Sequence, residues 1–300
     1  TKIILFYINI VIILQHKNSD TQATIGTFEN KSKNTMFIHV HPKYIYLKKE
    51  ISKIPNSNYE CLHTFCNSRN IVEQTKIGDG IFVVKKYKVP NFANRIIYTF
   101  FRKSKARRAY DNALKILRFG VNTPFPVAYI ETKRKGIFHT GYFISEYMSH
   151  PTLAHYNEAE MGDEEKNIFK EDFLNFTIEL HEKHILPLDY NIGNIFYHKD
   201  NDSGRYKFAL TDINRATFGK FPKYRSMLSF AQIGISPKNL VDVITEYSSR
   251  RKLDLEASLF IVLYYRIKRR VRIFLKQQMK RILSNPKQRC LDADNIKEAT

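Results

Sequence analysis

The sequence holds no tryptophan, three cysteines, eleven glycines and ten prolines in its 300 residues. Each scarcity excludes something. Cys61, Cys66 and Cys290 are too few, and odd in number, to frame a disulfide scaffold, so reduced thiols and a cytosolic setting are expected. Cys61, His63 and Cys66 lie close together, yet a structural zinc site takes four ligands and no second Cys/His cluster supplies the rest. Ordinary half-buried thiols are the expectation. The low glycine and proline content rules out collagen-like and low-complexity chain. No apolar run reaches the ~20 residues of a membrane-spanning helix. Residues 3–14 come nearest, and Gln15, His16, Lys17 and Asn18 follow where a signal peptide would place small residues for cleavage. Because the first methionine is Met36, residues 1–35 read as a leader outside the fold, with an uncleaved membrane anchor as the other reading.

Acidic residues are also scarce. Asp and Glu number 29 against 49 Lys and Arg, a net charge of +20, which implies anionic partners. Two stretches have no acid at all. Lys85 to Arg108 carries nine Lys/Arg, and Arg266 to Arg281 carries eight. In the second, Ile267, Val271, Ile273, Phe274, Leu275 and Met279 interleave with the basic residues. The pattern is that of a basic amphipathic helix suited to an anionic membrane surface. No nucleic-acid motif or stacking platform is evident, so nucleic acid is not an expected partner.

What is present is ample core material. Hydrophobic residues make up 43% of the chain, and the length suits one large domain or two lobes sharing a cleft. Residues 59–65, 71–76 and 81–88 read as strands, with Gly78-Asp79-Gly80 turning between the last two. Alternation places Val83 and Lys85 on one face, and Phe82 and Val84 on the other. Ser104 caps a following helix and Gly120 ends it, with Ala106, Tyr110, Ala113, Leu114 and Leu117 on one stripe. No Glu occurs between residues 104 and 119. Asp111 is the acid there, and Arg107 and Lys115 each lie four residues away, so a local surface pair is the simpler account. Residues 142–148 form an apolar strand running into Glu146-Tyr147-Met148.

The second half carries a denser pattern. Phe169, Phe173, Phe176 and Leu180 mark one face of a helix over residues 164–184. A loop follows with Asp189 and Asn194 in D-x-x-x-x-N spacing, punctuated by Pro187 and Gly193. A hairpin of residues 195–198 and 206–211 then delivers Asp212-Ile213-Asn214. Phosphoryl transfer needs a carboxylate near the attacking hydroxyl, oxygen ligands for a metal and a cation on the phosphates. Asp189, then Asn194 with Asp212, then Lys85 fit those needs in that order, with Lys85 at the end of a strand that resembles V-A-I-K.

These segments resemble the lipopolysaccharide kinase (Kdo/WaaP) family, in the form common in Bacteroidetes. The carrying residues are Val83-Val84-Lys85, Lys88–Tyr110, Gly120–Glu131, the loop ending NIGNIFY and Thr211–Gly219. The resemblance covers residues 36–285 and implies an α+β, bilobal, protein-kinase-like fold. In that reading residues 36–148 form a small β-sheet lobe with one helix and the hinge, and 149–300 a larger, mainly helical catalytic lobe with a basic terminal helix. It implies ATP and Mg²⁺ as cofactors, and phosphorylation of heptose or Kdo in the lipopolysaccharide core by an enzyme peripheral to the inner membrane on its cytoplasmic side. Lys85 is then the nucleotide lysine, Asp189 the base, Asn194 and Asp212 the metal ligands, and the Glu146 and Met148 backbone the adenine contacts. The sequence departs from the pattern in four places, the first being Pro187, two residues before Asp189, where a His often sits. The turn Asn67–Asn70 lacks the glycines of a phosphate-cradling loop, the helix lacks its Glu, and Asn214 stands for the glycine of D-F-G. No A-P-E follows Asp212. A kinase of another small molecule or a protein, and a non-catalytic pseudokinase that binds a membrane or partner, are the alternatives.

Overall fold

The computed structural model describes residues 34–57, 59–157 and 160–284. The expectation for a leader falls mainly on residues outside that set. The first half builds a six-stranded antiparallel sheet from β1 (Asn34–Val40), β2 (Glu60–Asn67), β3 (Ile71–Ile77), β4 (Gly80–Lys86), β5 (Pro126–Arg134) and β6 (Ile137–Glu146), in the order β1-β5-β6-β4-β3-β2. β4 is therefore an inner strand, held by β3 on one side and β6 on the other. Its alternation is as expected. Phe82 and Val84 are buried in the sheet's core with Ile77, Ile130 and Ile144, and Val83 and Lys85 face the opposite way.

β2 is an edge strand, and all of its residues are exposed. Cys61 and Cys66 are exposed with it, so the expectation of half-buried thiols is corrected. An edge strand has a neighbour on one side alone, here β3.

Two helices, rather than the one expected, connect β4 to β5. The first, α1 (Phe92–Phe100), begins at the N-cap Asn91, whose side chain accepts from Asn94 N–H. The second, α2 (Lys105–Arg118), begins at Ser104, which accepts from Arg107 N–H, and buries Ala106, Ala109, Tyr110, Ala113 and Ile116. It ends in a Schellman motif. Gly120 N–H bonds to Leu117 and Val121 N–H to Ile116, and Gly120 takes φ +70°, which only glycine adopts without strain. Gly141 on β6 lets α2 lie close to the sheet, since a Cβ there would meet the Ala106 Cβ at 2.9 Å.

The second half is mainly helical: α3 (Asp163–Glu182), α4 (Pro237–Arg251) and α5 (Leu255–Ser284). Between α3 and α4 lie two small sheets, one pairing β7 (Ile185–Leu186) with β10 (Thr217–Phe218), the other a hairpin of β8 (Ile195–Lys199) and β9 (Tyr206–Leu210). One apolar core joins them, with Phe169, Phe173, Leu180, Phe208, Phe230 and Ile244 buried. The architecture is α+β in two lobes: a sheet lobe with α1, α2 and a one-turn helix at Lys48–Ile51, and a larger helical lobe.

His181 sits in that core. Its Nδ1 meets the Tyr247 hydroxyl at 2.8 Å and its Nε2 the Ser229 hydroxyl at 3.1 Å. Burial, with the nearby Arg251 charge adding, pushes its pKa down from 6.5 to about 3. Between those values the unfolded chain holds a proton that the folded chain does not. This contribution to stability is complete above pH 6.5 and is lost as pH falls toward 3. Urea midpoints measured across that window should fall with pH in the wild type and fall less steeply in His181→Gln.

Candidate active site

A cleft of about 750 Å³ separates the two lobes. Its roof is the cleft face of the sheet, and its floor is the loop after β7 together with the segment after β9. Lys85, Met148, Asn194 and Asp212 all line it. Asp189 lies just beyond, in a small recess whose walls include Asn194 and Asp212.

Lys85 reaches across the cleft. Its ammonium is 2.7 Å from Asp212 Oδ2, and the two side chains are 15% and 27% exposed, a pair half withdrawn from water. Asp212 is in the left-handed region at φ 51°, ψ 44°, a conformation that costs free energy in a non-glycine residue and that surrounding contacts must hold. Three contacts do so. Asn214 Nδ2 donates to Asp212 Oδ1, Thr211 N–H bonds to the Asn194 carbonyl, and Asn112 Nδ2 on α2 donates to the Ile213 carbonyl at 2.8 Å.

The loop carrying Asp189 is pinned from both sides. Tyr190 is buried and bonds to Thr177 at 2.8 Å, and Gln232 Nε2 donates to the Leu188 carbonyl at 2.7 Å. The Asp189 carbonyl accepts from Asn191 N–H at 3.0 Å and from Asn194 Nδ2 at 2.9 Å. That last bond fixes the Asn194 amide, so that Oδ1 is its end left to accept a cation. The Asp189 carboxylate pairs with Arg215 Nη1 at 2.8 Å. Burial raises the Asp189 pKa above its ordinary 3.8. The Arg215 charge opposes that shift, and the Asp212 charge adds to it.

Asp212 and Asn194 offer oxygen donors, the kind hard cations take. Among the described residues no group of three or more His, Cys, Asp or Glu is placed to hold an ion. One carboxylate and one amide oxygen suit Mg²⁺, which keeps waters and takes the rest of its ligands from phosphate oxygens.

β6 ends at the far side of the cleft. Glu146, Tyr147 and Met148 line it there. The Glu146 carboxylate is turned away and accepts from the Tyr44 hydroxyl and from Lys43 Nζ at 3.1 Å. What Glu146 offers the cleft is therefore backbone. Its N–H bonds to the Phe125 carbonyl, and Tyr147 N–H to Ile81, so this corner is stitched to β4 and to the chain entering β5.

Asp111 does not meet Lys85. It pairs with Lys103 at 2.7 Å and lies 4.0 Å from Arg107, as the local account expects, though with Lys103 in place of Lys115. The acid facing Lys85 is Asp212. The contribution of α2 to the site is the next residue, Asn112, which sequence reasoning passed over. Arg215 was missed as well, although its place three residues after Asp212 was a usable signal. Arg69, in the turn between β2 and β3, lines the cleft where the expected phosphate-binding glycines are missing.

No family model matches the sequence, and no curated protein matches it. Solved structures do match. One of them, described as "WaaP in complex with acyl carrier protein", aligns with TM-score 0.52 and 14% identity over 77% of this chain and 97% of that chain. At that identity the likeness is one of fold. It agrees with the α+β, two-lobed arrangement described above.

Proposed function

We propose that the protein is an ATP-dependent phosphotransferase with an alcohol acceptor, and that the acceptor is a heptose or Kdo sugar of the lipopolysaccharide core. The observation that carries this reading is the meeting of Lys85, Asp189, Asn194 and Asp212 at one end of an interlobe cleft, from a strand, a loop and the segment after a hairpin. Asp212 and the Asn194 Oδ1 would hold Mg²⁺, which neutralises charge on the transferring phosphates. Lys85 would anchor the phosphates, and Asp189 would orient the sugar hydroxyl and take its proton. The Glu146–Met148 backbone would meet the adenine. Little covalent work falls to the protein, and the rigid loop around Asp189 suits catalysis by positioning.

The test is transfer of labelled γ-phosphate from Mg·ATP to a dephosphorylated lipopolysaccharide core by the full chain. Core-dependent incorporation is expected. Nucleotide binding with no transfer to any core would favour the second reading, a non-transferring pseudokinase. One observation supports that alternative: α2 offers no carboxylate to Lys85.

Because Asp189 must be ionised to accept a proton, the acid limb of kcat/KM should lie above pH 3.8. Arg215→Ala removes a cation that favours the ionised form, so that limb should move to still higher pH, as a pH–rate profile would record.

The membrane reading rests on α5. No helix among the described residues is long and apolar enough to cross a membrane. Yet Ile267, Val271, Phe274, Leu275 and Met279 are exposed beside basic residues of the same helix. Replacing Lys268, Arg272 and Lys276 together by Gln should weaken sedimentation with anionic vesicles by ~100-fold, at ~1 kcal/mol per basic residue. A wild-type chain that stays in the supernatant at physiological salt would remove the membrane from the proposal.

A further inference from the structure

Beside the main cleft, past Tyr87 and Arg69, lies a second recess of about 250 Å³. Both residues line both spaces. The recess is walled by the end of β4, the start of α1 and the start of α2, with Lys88, Asn91, Asn94, Tyr98 and Lys105 as its polar lining.

Two features of it suit an anion. The first is charge. Arg69 and Lys88 are exposed and Lys105 is half-buried. Among the described residues no carboxylate forms an ion pair with any of the three. The Lys105 ammonium is held below its ordinary pKa, chiefly by burial and then by the Arg69 and Arg108 charges, with the Asp212 charge opposing. The second is the position of that charge. Lys105 is the first residue of α2, and no acid occupies the first turn of α2 or of α1. Cations there oppose the helix dipole, whereas an anion would complement it.

We propose that this recess is a subsite for a phosphate group carried by the acceptor, separate from the phosphates of the nucleotide. The assignment rests on the phosphotransferase reading for the word acceptor, but not for the anion site itself. Lys88 and Lys105 are the direct cationic contacts, the Asn94 amide and the Tyr98 hydroxyl are further donors, and Arg69 spans the boundary with the main cleft. Because Arg69 and Tyr87 line both spaces, a phosphorylated sugar held here would adjoin the cleft that Lys85 and Asp212 line.

The experiment is calorimetric titration of the full chain with inorganic phosphate, with and without saturating Mg²⁺ and a non-hydrolysable ATP analogue. Two variants accompany it. Lys88→Ala removes a contact. Asn94→Asp places a negative charge in the recess at the third position of α1, where an acid favours the helix, so lost binding could not be ascribed to unfolding. Phosphate binding that persists beside the analogue and weakens ~10-fold or more in each variant is expected, the loss typical of a charge-assisted contact. Phosphate that competes with the analogue would overturn the proposal and assign these cations to the nucleotide's own phosphates. Binding unchanged in both variants would overturn it too. If phosphate binds in this pattern while the analogue does not bind at all, the subsite stands and the kinase reading fails.

Discussion

Asp189→Asn is expected to lower kcat by ~10²–10⁴-fold, the usual worth of a positioned general base, while Mg·ATP affinity stays near that of the wild type. The reason lies in how the residue is held. Its backbone carbonyl, not its carboxylate, bonds to Asn191 and Asn194, so the substitution leaves those contacts in place. The carboxylate meets Arg215, which an amide oxygen can still face. Single-turnover transfer and equilibrium nucleotide binding, measured on the same preparation, separate the two effects. A variant that keeps more than about a tenth of the wild-type rate would place Asp189 outside the chemistry.

Asp212→Asn should act on both quantities. The carboxylate is the one formal negative charge among the residues assigned to the metal, and its loss should weaken Mg·ATP binding and lower transfer by ~10³-fold, several kcal/mol of charge stabilisation. It also leaves Lys85 without its partner at 2.7 Å. A double-mutant cycle with Lys85→Met tests the coupling. If the two residues act on the same phosphates, the double variant should lose far less than the product of the single losses. Full additivity would mean that the two residues act independently and not on the same phosphates. Because both side chains are largely withdrawn from water, each single variant leaves a charge without its partner and should lower the melting temperature as well, and the double variant should recover part of that loss.

Much of this site was legible in the sequence, because its parts follow local rules. Alternation along a strand is set by the pleat, so the faces of Phe82, Val84 and Lys85 followed directly from their order. Ser104 and Gly120 bound α2 because a cap and a left-handed residue are local needs of any helix end. The D-x-x-x-x-N spacing identified the loop, and the hairpin turn at Gly204 identified Asp212 as the residue that follows its second strand.

Other features had little local signal or none. Helix α1 does carry an apolar stripe, with Phe92, Ile96, Ile97 and Phe100 at helical spacing and Asn91 as its cap, but it spans only nine residues and none of them is fully buried, so it reads as connecting chain. The exposure of Cys61 and Cys66 depends on β2 being an edge, and strand order is invisible to a periodicity argument. The side chain of Glu146 is bound by Tyr44 and Lys43, about a hundred residues earlier.

The sequence by itself determined the elements and the chemical types: a basic chain with a lysine strand, a carboxylate loop and a second carboxylate after a hairpin. Tertiary structure decided who faces whom. It set Asp212 rather than Asp111 against Lys85, turned the Asn194 amide toward Asp189, brought Asn112 to the Asp212 segment and gathered Lys88 and Lys105 at one recess. Hydrogen-bond periods and pleats act over a few residues and leave their pattern in the order of the chain. An ion pair between Lys85 and Asp212 depends on how two lobes pack, and that is fixed by contacts summed over the whole core.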